Sequence, residues 1–402
     1  MTRYLFHGGT IVDPVLGRVA NDLVVEGDRI LEIGAGLDGD EAIDCTGKYL
    51  IPGLFDTHVH LAYTHINLWR HIHTPLSYNF YLAIGNMART LETGITTVRD
   101  AGGADLGMKE AVQDGLVPGP RMQISLAMIT QTGGHGDGWN PSGIPVQFDT
   151  PYLGRPSGLA DGPDEIRKKV RELVRAGADV IKVATSGGVL SPRDEPTHAH
   201  FRPDELDVLV GEAAAAGLWV MAHAQAADGI KNAVRAGIRS IDHGIYLDDE
   251  SIGLMLEHGT YLVPTLMAPT GVEKAVEAGA QISDAAIRKA GEVIEIHRES
   301  FRKAVEAGVN IAMGTDSAIT PHGENLAELA LMVADGQTPE QAFESATINA
   351  ARLMSLENDL GSLEPGKLAD LVISAGDPLE FDQLRSNIEQ VWKAGTRVVD
   401  NT

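Results

Sequence analysis

Five residues that can bind a metal or move a proton close short apolar runs in this chain. His58 and His60 end Gly53-Leu-Phe-Asp-Thr-His-Val-His60, His223 ends Trp219-Val-Met-Ala-His223, His243 ends Ser240-Ile-Asp-His243, and Asp316 ends Asn310-Ile-Ala-Met-Gly-Thr-Asp316. The runs have β-strand texture, and residues two apart on a strand share a face, so His58 and His60 point the same way. Neutral imidazoles with a carboxylate are the ligand set of a borderline divalent cation such as zinc. One histidine at a strand end is ordinarily a hydrogen-bonded core residue, but five such residues at strand ends are not a chance pattern. Lys182 belongs with them. It interrupts the apolar run Asp179-Val-Ile-Lys-Val-Ala184, where a buried ammonium is costly unless paired. A neutral lysine amine can instead add carbon dioxide to give a carbamate, an anion whose two oxygens can bridge two cations.

The elements that must position these residues alternate. Short β-branched runs at 53–60, 96–99, 122–126, 180–183, 219–223, 240–243, 261–264 and 310–316 are separated by Ala- and Glu-rich helical stretches. In the stretch 163–175, apolar residues 166, 170, 173 and 174 share one face, and Asp164 and Glu165 fall in the first turn. Eight runs over residues 53–360 predict a closed (β/α)8 TIM barrel, in which all strand ends meet at one mouth. The Gly- and Pro-rich stretch 133–162 follows the third run, where barrel loops build active sites. Residues 1–52 and 361–402 have a different texture of short strands broken by turns. Neither piece can bury a core alone, so the two are expected to pair into one small β-domain.

Composition removes several function classes. The net charge of −24 over 402 residues repels phosphate at long range and excludes a nucleic-acid partner. With 43 % apolar and 22 % charged residues the chain reads as a soluble globular protein. Its single cysteine, Cys45, permits no intrachain disulfide. The first residues lack the apolar stretch of a signal peptide and no later run reaches the roughly 18 residues of a membrane span, so a cytoplasmic location without membrane attachment is expected. A small-molecule substrate is the expected partner, and a homo-oligomer is left open.

The motifs His-Val-His on the first strand, Lys on the fourth, His on the fifth and sixth, and Gly-Thr-Asp on the eighth resemble those of the metal-dependent amidohydrolase superfamily. Ile51-Pro-Gly-Leu-Phe-Asp-Thr-His-Val-His60, Gly94-Ile-Thr-Thr-Val-Arg-Asp100 and Gly361-Ser-Leu-Glu-Pro-Gly-Lys-Leu-Ala-Asp-Leu-Val372 extend the resemblance over essentially the whole chain. It implies a barrel (53–360) with a two-part β-sandwich (1–52 plus 361–402) and two divalent ions, usually zinc. His58, His60 and Asp316 would hold the buried ion, His223 and His243 the outer one, and N6-carboxylated Lys182 would bridge them. A hydroxide bridging the ions would attack the scissile carbonyl, with Asp316 carrying its proton to the leaving nitrogen. His135, in Thr132-Gly-Gly-His-Gly-Asp137, resembles the family histidine that hydrogen-bonds the tetrahedral oxyanion.

Thr-Gly-Gly-His-Gly-Asp137, Ser186-Gly-Gly-Val-Leu-Ser-Pro192 and Pro321-His-Gly-Glu-Asn325 are most similar to the prolidase-like and imidazolonepropionase-related branch. This implies cleavage of the amide bond of a dipeptide or N-acyl amino acid. Gln225 departs from that branch, which often carries a carboxylate-docking tyrosine two residues after the fifth-strand histidine. Arg193, Arg202, His198 and His322, on loops near the mouth, are the other candidate substrate contacts. The alternatives are a same-fold hydrolase of a cyclic amide, carbamate, lactone or phosphotriester and, more remotely, a non-catalytic scaffold. A deaminase fits less well, because Ala224-Gln-Ala-Ala-Asp228 after His223 lacks the expected glutamate.

Overall fold

The computed structural model describes residues 2–140, 142–146, 150–191 and 193–402. Two parallel sheets carry the site. Leu54–Val59, Ile95–Asp100 and Arg121–Ile124 form one, and Met128–Ile129, Ile181–Ala184, Val220–Ala224, Ser240–His243 and Tyr261–Val263 form the other in chain order. The strands 54–59, 95–100, 181–184, 220–224 and 240–243 are buried along their whole length, as expected of parallel strands covered on both faces. The covering helices include Leu76–Glu92, Gly162–Arg175, Pro203–Ala215, Ala227–Arg235, Asp249–His258 and Asp284–Ala307. Helix 162–175 buries Ile166, Val170 and Leu173 and opens with Pro163, Asp164 and Glu165, which suits the positive end of its dipole.

Backbone hydrogen bonds join the two sheets on both sides. The expected third strand breaks at Leu126, which adopts φ 68°, so that 121–124 belongs to one sheet and 128–129 to the other. Ser125 N donates to Asp100 O (3.1 Å) and Asp179 N to Ile124 O (2.8 Å) across the break. The expected eighth strand, 310–316, is not a continuous ladder but touches its neighbours through single bridges, Ile311 with Leu262 and Ser317 with Val59. Between them Thr57 N donates to Met313 O (2.9 Å) and Asp316 N to His58 O (2.7 Å). The irregularity has two local causes. Asp316 sits at φ 58°, and Gly314 runs so close to its neighbours that a Cβ would lie 2.3 Å from Val263 and 2.9 Å from His58.

Both chain ends enter one six-stranded sheet, ordered Thr396–Asp400, Ile388–Lys393, Leu371–Ser374, Tyr49–Pro52, Thr10–Asp13, Gly17–Val19. A second sheet, ordered Arg29–Gly34, Asp22–Glu26, Arg3–His7, Glu41–Asp44, packs on it through Phe6, Leu23, Ile30, Leu50, Leu371 and Trp392. Strands 388–393 and 396–400 form a hairpin turned at Ala394 and Gly395, both at positive φ.

Candidate metal centre

His58 and His60 lie at the end of strand 54–59, and the tight link between 310–317 and that strand brings Asp316 against them. Asp316 Oδ1 is 3.4 Å from His58 Nε2 and 3.2 Å from His60 Nε2. One ligand atom from each of the three residues falls within 4.8 Å of the others. The opposite ring nitrogens are anchored: His58 Nδ1 donates to Asp242 Oδ2 (2.7 Å) and His60 Nδ1 to Gly102 O (2.7 Å). Such anchoring fixes the ring orientation and points both Nε2 atoms at the carboxylate. Asp56 stitches the two segments together, accepting from His58 N, Thr315 N, Thr315 Oγ1 and Asn325 Nδ2.

The electrostatics suit a cation. Burial, helped by the charge of Lys182, holds His58 well below its ordinary pKa. Burial likewise lowers His223, and it takes His243 to about 3. Burial would raise the Asp316 carboxyl, but His58 and the hydrogen bond from His60 outweigh it and keep it below the usual carboxylate range. His60 is pushed up to about 9: burial lowers it, but the hydrogen bond and charge of Asp316 prevail. The cluster is an ionised carboxylate beside imidazoles, with a proton on His60 that a bound cation would displace, a donor set that fits a borderline divalent ion. Lys182 stands on the same floor, with Nζ 3.4 Å from His58 Nε2 and 3.7 Å from Asp242 Oδ2.

His223 and His243 stand beside this trio. Their ring centroids are 4.6 Å apart, and His243 lies 5.0 Å from His58. His223 Nε2 donates to Gly187 O (3.2 Å), so its Nδ1 keeps a lone pair, and His243 Nδ1 pairs with Thr265 Oγ1 (2.7 Å). His135 stacks on His223 with centroids 4.1 Å apart. Its Nδ1 meets Ser191 Oγ at 2.9 Å, and Ser191 in turn bonds the buried carboxylate of Asp194. Gly188 permits this stack, since a Cβ there would lie 2.3 Å from the His135 ring.

A cavity of about 240 Å³ opens over these groups, lined by His58, His60, Lys182, His223, His243, Asp316, His135 and Gln225. That far exceeds the roughly 10–15 Å³ one water needs. The other sequence candidates lie outside its lining. Arg193 is exposed, its guanidinium over the Trp139 ring at 4.7 Å; Arg202 is exposed at the start of helix 203–215; His198 is exposed. His322 is buried and donates through Nε2 to Tyr63 O. Sequence reasoning missed Asp242 and Arg99, which form a fully buried ion pair at 3.0 Å behind His58. Both are charged residues inside strands, the same signal that picks out Lys182. It also missed Lys289, whose buried Nζ donates to Gly188 O, Ser191 O and Asp194 O. Lys289 has no sequence signal, lying on an ordinary amphipathic helix.

Known proteins carry the same architecture. The amidohydrolase family model matches residues 49–398. The chain is 36 % identical to ochratoxinase of Aspergillus niger over 371 residues, covering 86 % of this chain and 75 % of the relative. A crystal structure of an Xaa-Pro dipeptidase with bound methionine superposes with a TM-score of 0.89 at 34 % identity, covering 98 % of this chain and 99 % of that one. A prolidase complexed with N-methylphosphonate-L-proline superposes with a TM-score of 0.91 at 33 % identity over the full length of both.

Proposed function

The chain belongs to the amidohydrolase family and is a metal-dependent hydrolase, and from that premise we propose that it cleaves the amide C–N bond of an N-acylated small molecule of dipeptide size. The observation that carries this reading is the His58, His60 and Asp316 cluster, with Lys182 beside it, on the floor of a cavity large enough for such a molecule. The eight parallel segments are read as a (β/α)8 barrel spanning 53–360, with 1–52 and 361–402 as a composite β-sandwich.

In this proposal His58, His60 and Asp316 would hold one divalent ion and His223 and His243 a second, and Lys182 would serve both as its N6-carboxylate, formed when the neutral amine adds carbon dioxide and loses a proton. Zinc is the metal proposed. When bound, the ions supply Lewis acidity and lower the pKa of water at the site. The protein does the rest. Asp316 takes the proton of the attacking water and returns it to the leaving nitrogen. His135, oriented by Ser191 and Asp194, donates a hydrogen bond to the carbonyl oxygen as it gains charge. Asp242 and Gly102 keep the histidine pair in the ligating tautomer. No described helix is long and apolar enough to cross a membrane, and we propose a cytoplasmic enzyme of small molecules.

Elemental analysis of zinc-loaded protein is expected to find about two ions per chain, with Lys182→Ala reducing that content and abolishing turnover. A folded chain that takes up no ion would overturn the metal assignment. A screen of dipeptides, N-acyl amines, carbamates, lactones and phosphotriesters tests the bond, and turnover confined to the last two classes would overturn the amide reading.

A further inference from the structure

Above the metal floor the cavity becomes apolar. Ile66, Val189, Leu190, Ile245, Val272 and Ile319 line it and pack into a cluster separate from the main core. They come from separate segments of the chain, so this is a built wall and not the exposed side of one helix. Charge is nearly absent from it. Among the described lining residues Lys182 is the one lysine or arginine, and it sits on the floor against His58 and Asp242. The few residues outside the described set include no lysine or arginine either.

Other cations near the mouth are already engaged or turned away. Lys289 spends its ammonium on three backbone carbonyls of the 188–194 loop. Arg155 donates to Tyr63 Oη, Gly103 O and Thr150 O. Arg193 and Arg202 are exposed and outside the lining. His297, on the cavity side of helix 284–307, is engaged as well, its Nε2 donating to His243 O (2.9 Å). A free carboxylate seated on this wall would lose its hydration without gaining a counter-ion.

Among the polar groups that line the cavity, Gln225 is unsatisfied. Gln225, 5 % exposed, has a buried Oε1 with no hydrogen-bond partner, while its backbone N–H is bound to Ser186 Oγ. An unpartnered buried carboxamide oxygen calls for a ligand group that donates a hydrogen bond.

Resting on the amide-hydrolase reading above, we infer that the part of the substrate beyond the scissile bond is apolar and uncharged, with a neutral hydrogen-bonding group for Gln225. The class is that of N-acyl amines, anilides and amidated peptide ends, not compounds with a free α-carboxylate. Gln225 and the apolar wall set this preference.

The test uses a matched pair, N-acetyl-L-phenylalaninamide and N-acetyl-L-phenylalanine, which share the scissile bond and the phenyl ring and differ by a neutral carboxamide in place of the carboxylate. Calorimetric binding to the zinc-loaded protein is expected to favour the neutral compound at least 10-fold, and kcat/KM to follow. Gln225→Lys, and at the part-exposed wall position Leu190→Lys, are each expected to narrow or reverse that ratio; the second keeps the test usable if the first does not fold. Equal or tighter binding of the carboxylate overturns the inference, as does failure of both compounds to bind. Binding of the neutral compound with the predicted preference but without release of L-phenylalaninamide would leave this inference standing and overturn the amide-hydrolase reading instead.

Discussion

The floor of the cavity and its far wall are held by different means. On the floor, His58, His60 and Lys182 ride on strands whose register is set by backbone ladders, Asp316 is tied to the first of these by its backbone N–H, and the side chains behind them, Asp56, Asp242 and Arg99, are completely buried. On the wall, His135 stands in a loop and is oriented by Ser191 and Asp194 of a second loop. That second loop is pinned from outside by one ammonium, Lys289 of helix 284–307. The same helix reaches the sixth strand end, where His297 Nε2 donates to His243 O (2.9 Å) and Ser300 Oγ to Ile245 O (2.6 Å). The floor is thus rigid by fold, whereas the wall is rigid by tether. Damage to the floor should cost metal and stability together, and damage to the wall should cost turnover with the metal retained.

The largest effect is expected at Asp316. Asp316→Asn keeps the shape but removes the anion and the proton carrier, and kcat/KM should fall on the order of 100- to 10,000-fold with a matching loss of bound metal. Steady-state kinetics beside elemental analysis check this, and full metal content with near-normal turnover would break the contrast at its strongest point. Next is Asp242→Ala. It strands the buried Arg99 guanidinium and releases His58 Nδ1, so a loss of about 3–5 kcal/mol is expected from the broken buried pair. Metal affinity should weaken roughly 10- to 100-fold as His58 loses its orienting partner. Denaturant midpoints and metal titration read the two losses separately.

Lys289→Met examines the wall. Three buried carbonyls lose their donor, which should cost about 1–3 kcal/mol. Because the loop that orients His135 loosens, kcat should fall roughly 10- to 100-fold, with KM and metal content close to the parent. Lys289→Arg, which keeps donors and charge, should recover part of the loss. A fall in metal content as large as that of Asp242→Ala would show that wall and floor are a single unit.

The same division governs what could be read from the sequence. The floor was legible because strand ends announce themselves: an apolar run of period two, closed by His or Asp, fixes both the element and the direction of its last side chain. The His-Val-His pair and the lysine inside an apolar run needed only that rule, and applied consistently it would also have found Arg99 and Asp242. The irregular path of 310–317 was hidden, because a positive φ at Asp316 and the close pass of Gly314 depend on neighbours some 250 residues away. The wall was hidden for the same reason on a larger scale. Ser191, Asp194 and Lys289 acquire their meaning from contacts between loops and a remote helix, and Arg193 and Arg202, plausible by loop position, prove to be exposed.

Two glycines give the finest comparison. At Gly314 an added Cβ would lie 2.3 Å from Val263 Cγ1, 2.9 Å from His58 Cβ and 3.1 Å from His58 N. Strand 54–59 cannot retreat without breaking its pairing with 95–100, so Gly314→Ala should lower thermal stability and metal content together. At Gly188 the obstruction is the His135 imidazole alone, with Cε1 at 2.3 Å and Nδ1 at 2.5 Å, and a ring on a loop can swing aside. Gly188→Ala should therefore leave melting temperature and metal content near those of the parent. Its kcat should drop only roughly 3- to 10-fold as His135 leaves its stack on His223. Measured side by side, the two alanines separate a site fixed by backbone from one fixed by a side chain. Equal losses of metal in both would mean that His135 bears on the metal floor itself.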